Sequence, residues 1–239
     1  MAKDPRKRQK QLERRKAKDK ARKRSLVAHN AHDLADQIRR AASAPVLHSL
    51  TTSVLFDEGL SQVLLSRALS NGNVAFAVFL VDAYCLGVKN IICAVSSRAR
   101  YNRDLYQKAF LEQPYEIIPL APEATRKLVE GAVDYAADLG FAPHRDYRTA
   151  RLIFGDIDAG ACADRFAYGR NGKPCFISGP HDSPSRCREI INILTGRCGP
   201  GGFDSVIRLH SPPVSVSGKS RIILPELDDE EEYFIDEPE

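Results

Sequence analysis

The stretch "YGRNGKPCFISGPHDSPSR" (168–186) gathers glycine, proline, histidine, aspartate and arginine between two apolar segments. His181, Asp182 and Ser183 stand where a helix begins, and Arg186 and Arg188 follow within a turn. Unpaired backbone N–H groups at a helix start, with guanidinium groups nearby, can hold a phosphate. Ser183, Arg186 and Arg188 are therefore a candidate anion site. Asp182 competes for the same N–H donors, and a capped helix after a hairpin explains every residue except His181. Neither G-x-x-x-x-G-K-[ST] nor G-x-G-x-x-G is present to favour phosphate.

A second chemistry would use carboxylates. "FGDIDAGACAD" offers Asp156, Asp158 and Asp164, which could hold a hard cation through oxygen ligands. Its spacing is not that of a calcium loop, because Gly160 takes the fifth position and no glutamate closes the loop. Asp156 and Asp158 suit turn and cap hydrogen bonds better. Asp82 lies in an otherwise apolar run and needs a partner, which Lys89, Arg151 or a tyrosine hydroxyl could supply. A metal-dependent nuclease or phosphoester hydrolase would use some of Asp82, Asp156, Asp158, Asp164, His181 and Asp182, which would then have to converge. The pattern is loosely similar to ribonuclease-H-like nucleases, but those place an acid on the opening strand, and "SQVLLSRAL" has none.

Nucleophilic catalysis finds no support, since no G-x-S-x-G elbow occurs and His144 suits a cap or surface role. The six cysteines form no C-x-x-C pair. They predict no disulfide framework, and Cys85 and Cys93 in apolar strands read as core. Neither a metal nor a cofactor is expected.

Charge is the strongest functional signal. Residues 1–24 hold thirteen bases: Lys3, Arg6, Lys7, Arg8, Lys10, Arg14, Arg15, Lys16, Lys18, Lys20, Arg22, Lys23 and Arg24. Only Asp4, Glu13 and Asp19 oppose them. A solvated basic segment releases counterions on meeting phosphates, which gives salt-sensitive affinity for RNA or DNA. Without an aromatic residue to stack on bases, this arm should hold duplex or structured backbone without reading sequence. A solubilising tail or a nuclear address would share its composition. Membrane contact is not expected, because the arm has no apolar face to insert. The last fifteen residues carry nine acids and no base. They could lie on the arm and compete with phosphate, or act only as a solubility device.

The elements that must position these groups follow from periodicity. Residues 1–24 and 225–239 are too charged to pack and are expected to be a disordered or solvated-helical arm and a disordered tail. Between them, residues 25–224 can bury one core. Val27, Ala31, Leu34, Ile38 and Ala41 predict a helix ending before Pro45. "SQVLLSRAL", "VAFAVFLVDAY" and "GVKNIICAV" predict a three-stranded antiparallel meander whose first turn, Asn71-Gly72, suits type I′. Its central strand is apolar on both faces, so each face needs a cover. "SSRARYNRDLYQKAFLEQ" is helix-like, and "PEATRKLVEGAVDYAADLG" is a helix from Pro122 to a stop at Gly140. A short helix follows at "YRTARLIF". "DRFAYG" and "PCFISG" read as strands around a second Asn-Gly hairpin, and "DSPSRCREIINILTG" as a helix closed by Gly196. "SVIRLH" and "SRIIL" are strand-like. The fold class is α+β, with an antiparallel or mixed sheet packed by amphipathic helices.

Three segments, "MAKDPRKRQKQLERRKAKDKARKR", "GNVAFAVFLVDAYCLGVKN" and "FAYGRNGKPCFISGPHDSPSR", together resemble a planctomycete-type family of bacterial proteins with no assigned activity. The likeness runs from the basic arm to Gly202. It implies a bacterial cytoplasm and transfers no site residue. With no apolar run long enough to span a bilayer and no export signal, a cytoplasmic protein is expected. The resulting expectation is a non-enzymatic nucleic-acid accessory protein. A metal-dependent hydrolase and a protein-interaction module with solubilising tails are the alternatives.

Overall fold

The computed structural model describes residues 32–180 and 182–207, Phe56 by its backbone alone. The basic arm, His181, "SRIIL" and the acidic tail lie outside them.

The three meander runs form β2 (Leu60–Ala68), β3 (Asn73–Asp82) and β4 (Gly87–Ser97), paired antiparallel. Two further strands, β1 (Val46–Thr52) and β5 (Ile117–Pro119), extend the sheet to the order β4-β3-β2-β1-β5, with every pair antiparallel. A single turn, α2 (Leu55–Glu58), joins β1 to β2.

The first turn corrects the type I′ expectation. Among the described residues that are not glycine, only Asn171 has positive φ, so Asn71 is not left-handed while Gly72 is (φ +80°). Leu69 N–H donates to Asn73 O (2.9 Å) and Gly72 N–H to Leu69 O (3.1 Å). This is a type I turn closed by a glycine bulge, one residue longer than type I′. The Asn71 side chain favours it, because its Oδ1 accepts the Asn73 N–H (3.1 Å).

Both faces of β3 are covered, as its composition requires. Ala75, Ala77, Phe79 and Val81 pack under α1 (32–41), α4 (Pro122–Asp138), α5 (Tyr147–Ala150) and a 3₁₀ turn (Arg151–Phe154). Val74, Phe76 and Val78 pack under the π-helical turns (Tyr101–Leu111) that continue the exposed α3 (Arg98–Arg100). The buried residues Tyr101, Leu105 and Phe110 recur at steps of four and five, which suits the wider π turn. Pro122 opens α4. At its other end Gly140 N–H donates to Ala137 O (2.9 Å) and Phe141 N–H to Ala136 O (2.8 Å), a Schellman closure.

A third core lies beyond the β3–β4 turn, where Cys85 and Leu86 meet Leu139, Phe141, Phe176, Ile190 and Leu194. Gly87 permits it. A Cβ there would stand 2.7 Å from Ala132 O on α4, at a φ of +64° that disfavours any side chain.

The second Asn-Gly turn is present, with both Asn171 (φ 55°) and Gly172 (φ 77°) left-handed. Arg170 and Lys173 exchange two hydrogen bonds (2.8 and 3.2 Å) and the ladder stops there, so "DRFAYG" is not a strand. Instead β6 (Cys175–Ile177) pairs in parallel with β7 (Asp204–Val206) across α6 (Pro184–Cys198). The helix α6 runs past Gly196 to Gly199. Burial of Ile190 and Leu194 outweighs the ~1 kcal/mol that one glycine costs a helix. No helix among the described residues is long and apolar enough to cross a membrane.

Arg67, on β2, is 3% exposed and has no carboxylate bonded to it. Its Nε donates to Ile153 O (2.7 Å), Nη1 to Ala44 O (2.6 Å) and Nη2 to Phe154 O (2.9 Å). Burial lowers its pKa, and the charge of Asp156 partly offsets this. Replacing Arg67 by leucine removes the donors from three carbonyls. It is expected to destabilise the protein by about 3–5 kcal/mol, measured by urea unfolding against the parent chain.

Candidate nucleic-acid interface

The acidic candidates do not form one site. Asp82 ends β3 and is buried, and it accepts backbone N–H groups from Tyr84 (3.1 Å) and Cys85 (2.9 Å). Lys89 supplies the compensating charge, one of the partners its sequence context suggested. Arg151 does not: it meets Glu130 (3.4 Å) and lies over the Tyr147 ring. Asp182 Oδ2 accepts the Gly179 N–H (2.7 Å) and lies 3.9 Å from Lys89 Nζ, so one lysine links the β3–β4 turn to the approach of α6. Asp158 Oδ1 accepts the Gly160 N–H (2.8 Å), capping a 3₁₀ turn (Ala159–Ala161). Asp156 and Asp164 are exposed. No three His, Cys, Asp or Glu side chains among the described residues gather as a metal site would require.

At the start of α6, Ser183 rather than Asp182 is the cap, and its Oγ accepts the Arg186 N–H (3.2 Å). The Arg186 guanidinium is bound to Glu189 (2.8 Å), and Arg188 points to solvent as an exposed residue. The donors and charge proposed for an anion are thus largely engaged within the protein. All six cysteines are free thiols, and burial pushes the Cys93 thiol up to about 12.

A cluster that sequence reasoning missed lies on the α3 face of the sheet. A bulge between Val46 and His48 shifts the β1 register, setting His48 opposite Ser66. The His48 Nδ1 is 2.7 Å from the Tyr101 hydroxyl, which donates to Ser66 Oγ (3.0 Å). Ser66 Oγ also accepts the His48 N–H (3.1 Å), and the imidazole stacks on Tyr106 with ring centroids 4.2 Å apart. Burial lowers the His48 pKa and the Arg98 charge lowers it further, both favouring the neutral ring. Burial also pushes Tyr101 up to about 12. A polar histidine inside "VLHSL" was the available signal, but its partners come from 18 and 53 residues away.

The same end of the sheet is cationic. Arg98 begins α3, is exposed, and its N–H donates to Gly72 O (3.4 Å) at the β2–β3 turn. On the opposite face Arg40, in the last turn of α1, is also exposed. Neither makes an ion pair among the described residues, whereas neighbouring Arg39, Arg100 and Arg103 are paired with Asp36 or Asp104. Beside Arg40 a hollow of about 610 Å³ opens between α1, the loop to β1 and the β2–β3 turn. The basic segment precedes α1, the helix that walls this hollow, in the sequence.

Compared with known proteins, the chain matches no family model, no curated protein and no solved structure.

Two outcomes test this geometry. Burial raises Asp82 to about 6, above its ordinary 3.8. Its contribution to stability is therefore fully present below pH 3.8 and lost as pH rises through about 6, a difference on the order of 3 kcal/mol. Asp82→Asn keeps an acceptor for the turn amides and cannot ionise. Denaturant titrations across that window should show a smaller fall in stability for the variant than for the parent. Tyr101→Phe strips a partner from both His48 and Ser66. Thermal unfolding should report a loss of about 1–3 kcal/mol.

Proposed function

We propose that this protein is a non-enzymatic accessory protein that associates with RNA or DNA through phosphate contacts made by residues 3–24, in the cytoplasm. The observation that carries the reading is the concentration of thirteen bases against three acids in the first 24 residues. Charge at that density attracts polyanions through counterion release and needs no folded pocket. The structure supports it in one respect. Two arginines without ion-pair partners among the described residues, Arg40 and Arg98, flank the turn nearest α1, so phosphate contacts can continue from the segment onto the folded body.

Sequence-independent electrostatic binding has a definite salt signature. If about six to ten of the thirteen bases meet phosphates together, affinity falls by about 10³–10⁵ between roughly 50 and 200 mM salt. Fluorescence anisotropy with labelled RNA and DNA should show that slope for the full chain and its loss on deletion of residues 1–24. Unchanged binding by the truncated chain would rule the reading out.

A further inference from the structure

We propose that the hollow beside Arg40 is a pocket for one nucleotide of a single strand, which gives the folded body a selectivity that the basic segment lacks. This inference rests on the nucleic-acid reading above.

A volume of about 610 Å³ falls within the range of small-ligand pockets and suits one nucleotide better than a stretch of duplex. Its walls divide by chemistry. Leu69 and Val95 offer an apolar surface for the face of a base, and Gln37 and Asn71 offer amides for its edge. Arg40 stands on the wall formed by α1, where it can take the attached phosphate. Because Asn71 Oδ1 already accepts the Asn73 N–H, the side chain has its NH₂ group left to donate. Together with Arg40 this makes the hollow donor-rich, so it suits bases that present carbonyl acceptors, such as uracil and guanine.

Two nearby carbonyls of the surrounding chain are already engaged and would not repel a phosphate. Ala41 O accepts the Ala44 N–H (2.9 Å), and Ala44 O accepts Arg67 Nη1 (2.6 Å). A base enters such a pocket only when it is unstacked, so duplex is excluded by geometry. The ligand is thus a single-stranded RNA or DNA segment with one phosphate held at Arg40.

The test uses the full chain and two fluorescein-labelled probes, single-stranded oligo(U) and an RNA duplex of equal length. Arg40→Gln removes the phosphate donor, and Ser43→Trp places a bulky ring at an exposed position on the rim. Each variant should bind oligo(U) roughly fivefold or more weakly, the scale of one lost hydrogen bond. Ser43→Trp should leave duplex binding close to the parent value, and Arg40→Gln should weaken oligo(U) more than duplex. Melting temperatures should stay near the parent's, and Arg40→Lys should recover part of the loss. In parallel, uridine monophosphate titrated into ¹³C-methyl-labelled protein should shift the Leu69 and Val95 methyl signals, and inorganic phosphate should not. Equal weakening of both probes, no weakening of either, or identical shifts with phosphate would overturn the pocket and leave the arm's role standing. Failure of the parent protein to bind any nucleic acid would overturn both.

Discussion

A buried guanidinium without a bonded counter-ion is costly unless its nitrogens find acceptors, and each of the three nitrogens of Arg67 finds one in the backbone. Its three carbonyl partners belong to two separate loop-like segments, Ala44 in the loop following α1 and Ile153 and Phe154 in the 3₁₀ turn after α5. Neither loop has a ladder of its own there. The strand that carries Arg67 is central, so the side chain transmits the rigidity of β2 into irregular chain. Because Ala44 also lines the hollow beside Arg40, the same contact that satisfies a buried charge fixes one wall of the proposed nucleotide pocket. Packing, polar satisfaction and the candidate site thus meet at one residue, whose role nothing in "SQVLLSRAL" announced.

Where the order of apolar residues carried the information, it was enough. The meander, both covers of β3, and the helices from Pro122 and Pro184 follow from period and caps. What escaped were features decided by neighbours far along the chain. β1 is interrupted by a bulge and alternates poorly, and β5 is three residues long, so neither carries a pattern. β6 reads as half of a hairpin because a type I′ turn precedes it, yet its hydrogen-bonding partner is β7. The turn at Asn71-Gly72 illustrates a subtler limit. The dipeptide permits two closures, and a single side-chain acceptor chose between them.

The chemistry was legible to a similar depth. The stretch 168–186 is accounted for mainly by folding: a turn, a short strand, a serine cap and an arginine neutralised by glutamate. Asp82 was recognisable as a carboxylate in need of a partner, and its burial and lysine follow from that need. The His48, Tyr101 and Ser66 network was not recognisable, because three unremarkable residues become a unit only when a bulge and a π-helical segment bring them together. The pairing of Arg39, Arg100 and Arg103 was equally hidden. Counting charge in a sequence cannot separate these neutralised arginines from Arg40 and Arg98.

The parallel pair β6–β7 has a consequence for how the protein holds together. In the large sheet the pairs β1–β2, β2–β3 and β3–β4 are joined by short connections, so closing them costs little chain entropy. The two short strands must instead enclose residues 178–203, and three residues of ladder are a small return for ordering that length. The return comes from α6, whose Cys187, Ile190 and Leu194 fill the third core. This corner of the molecule is therefore a dependent annex. Its strands draw most of their support from the helix between them, so loosening the helix weakens their pairing.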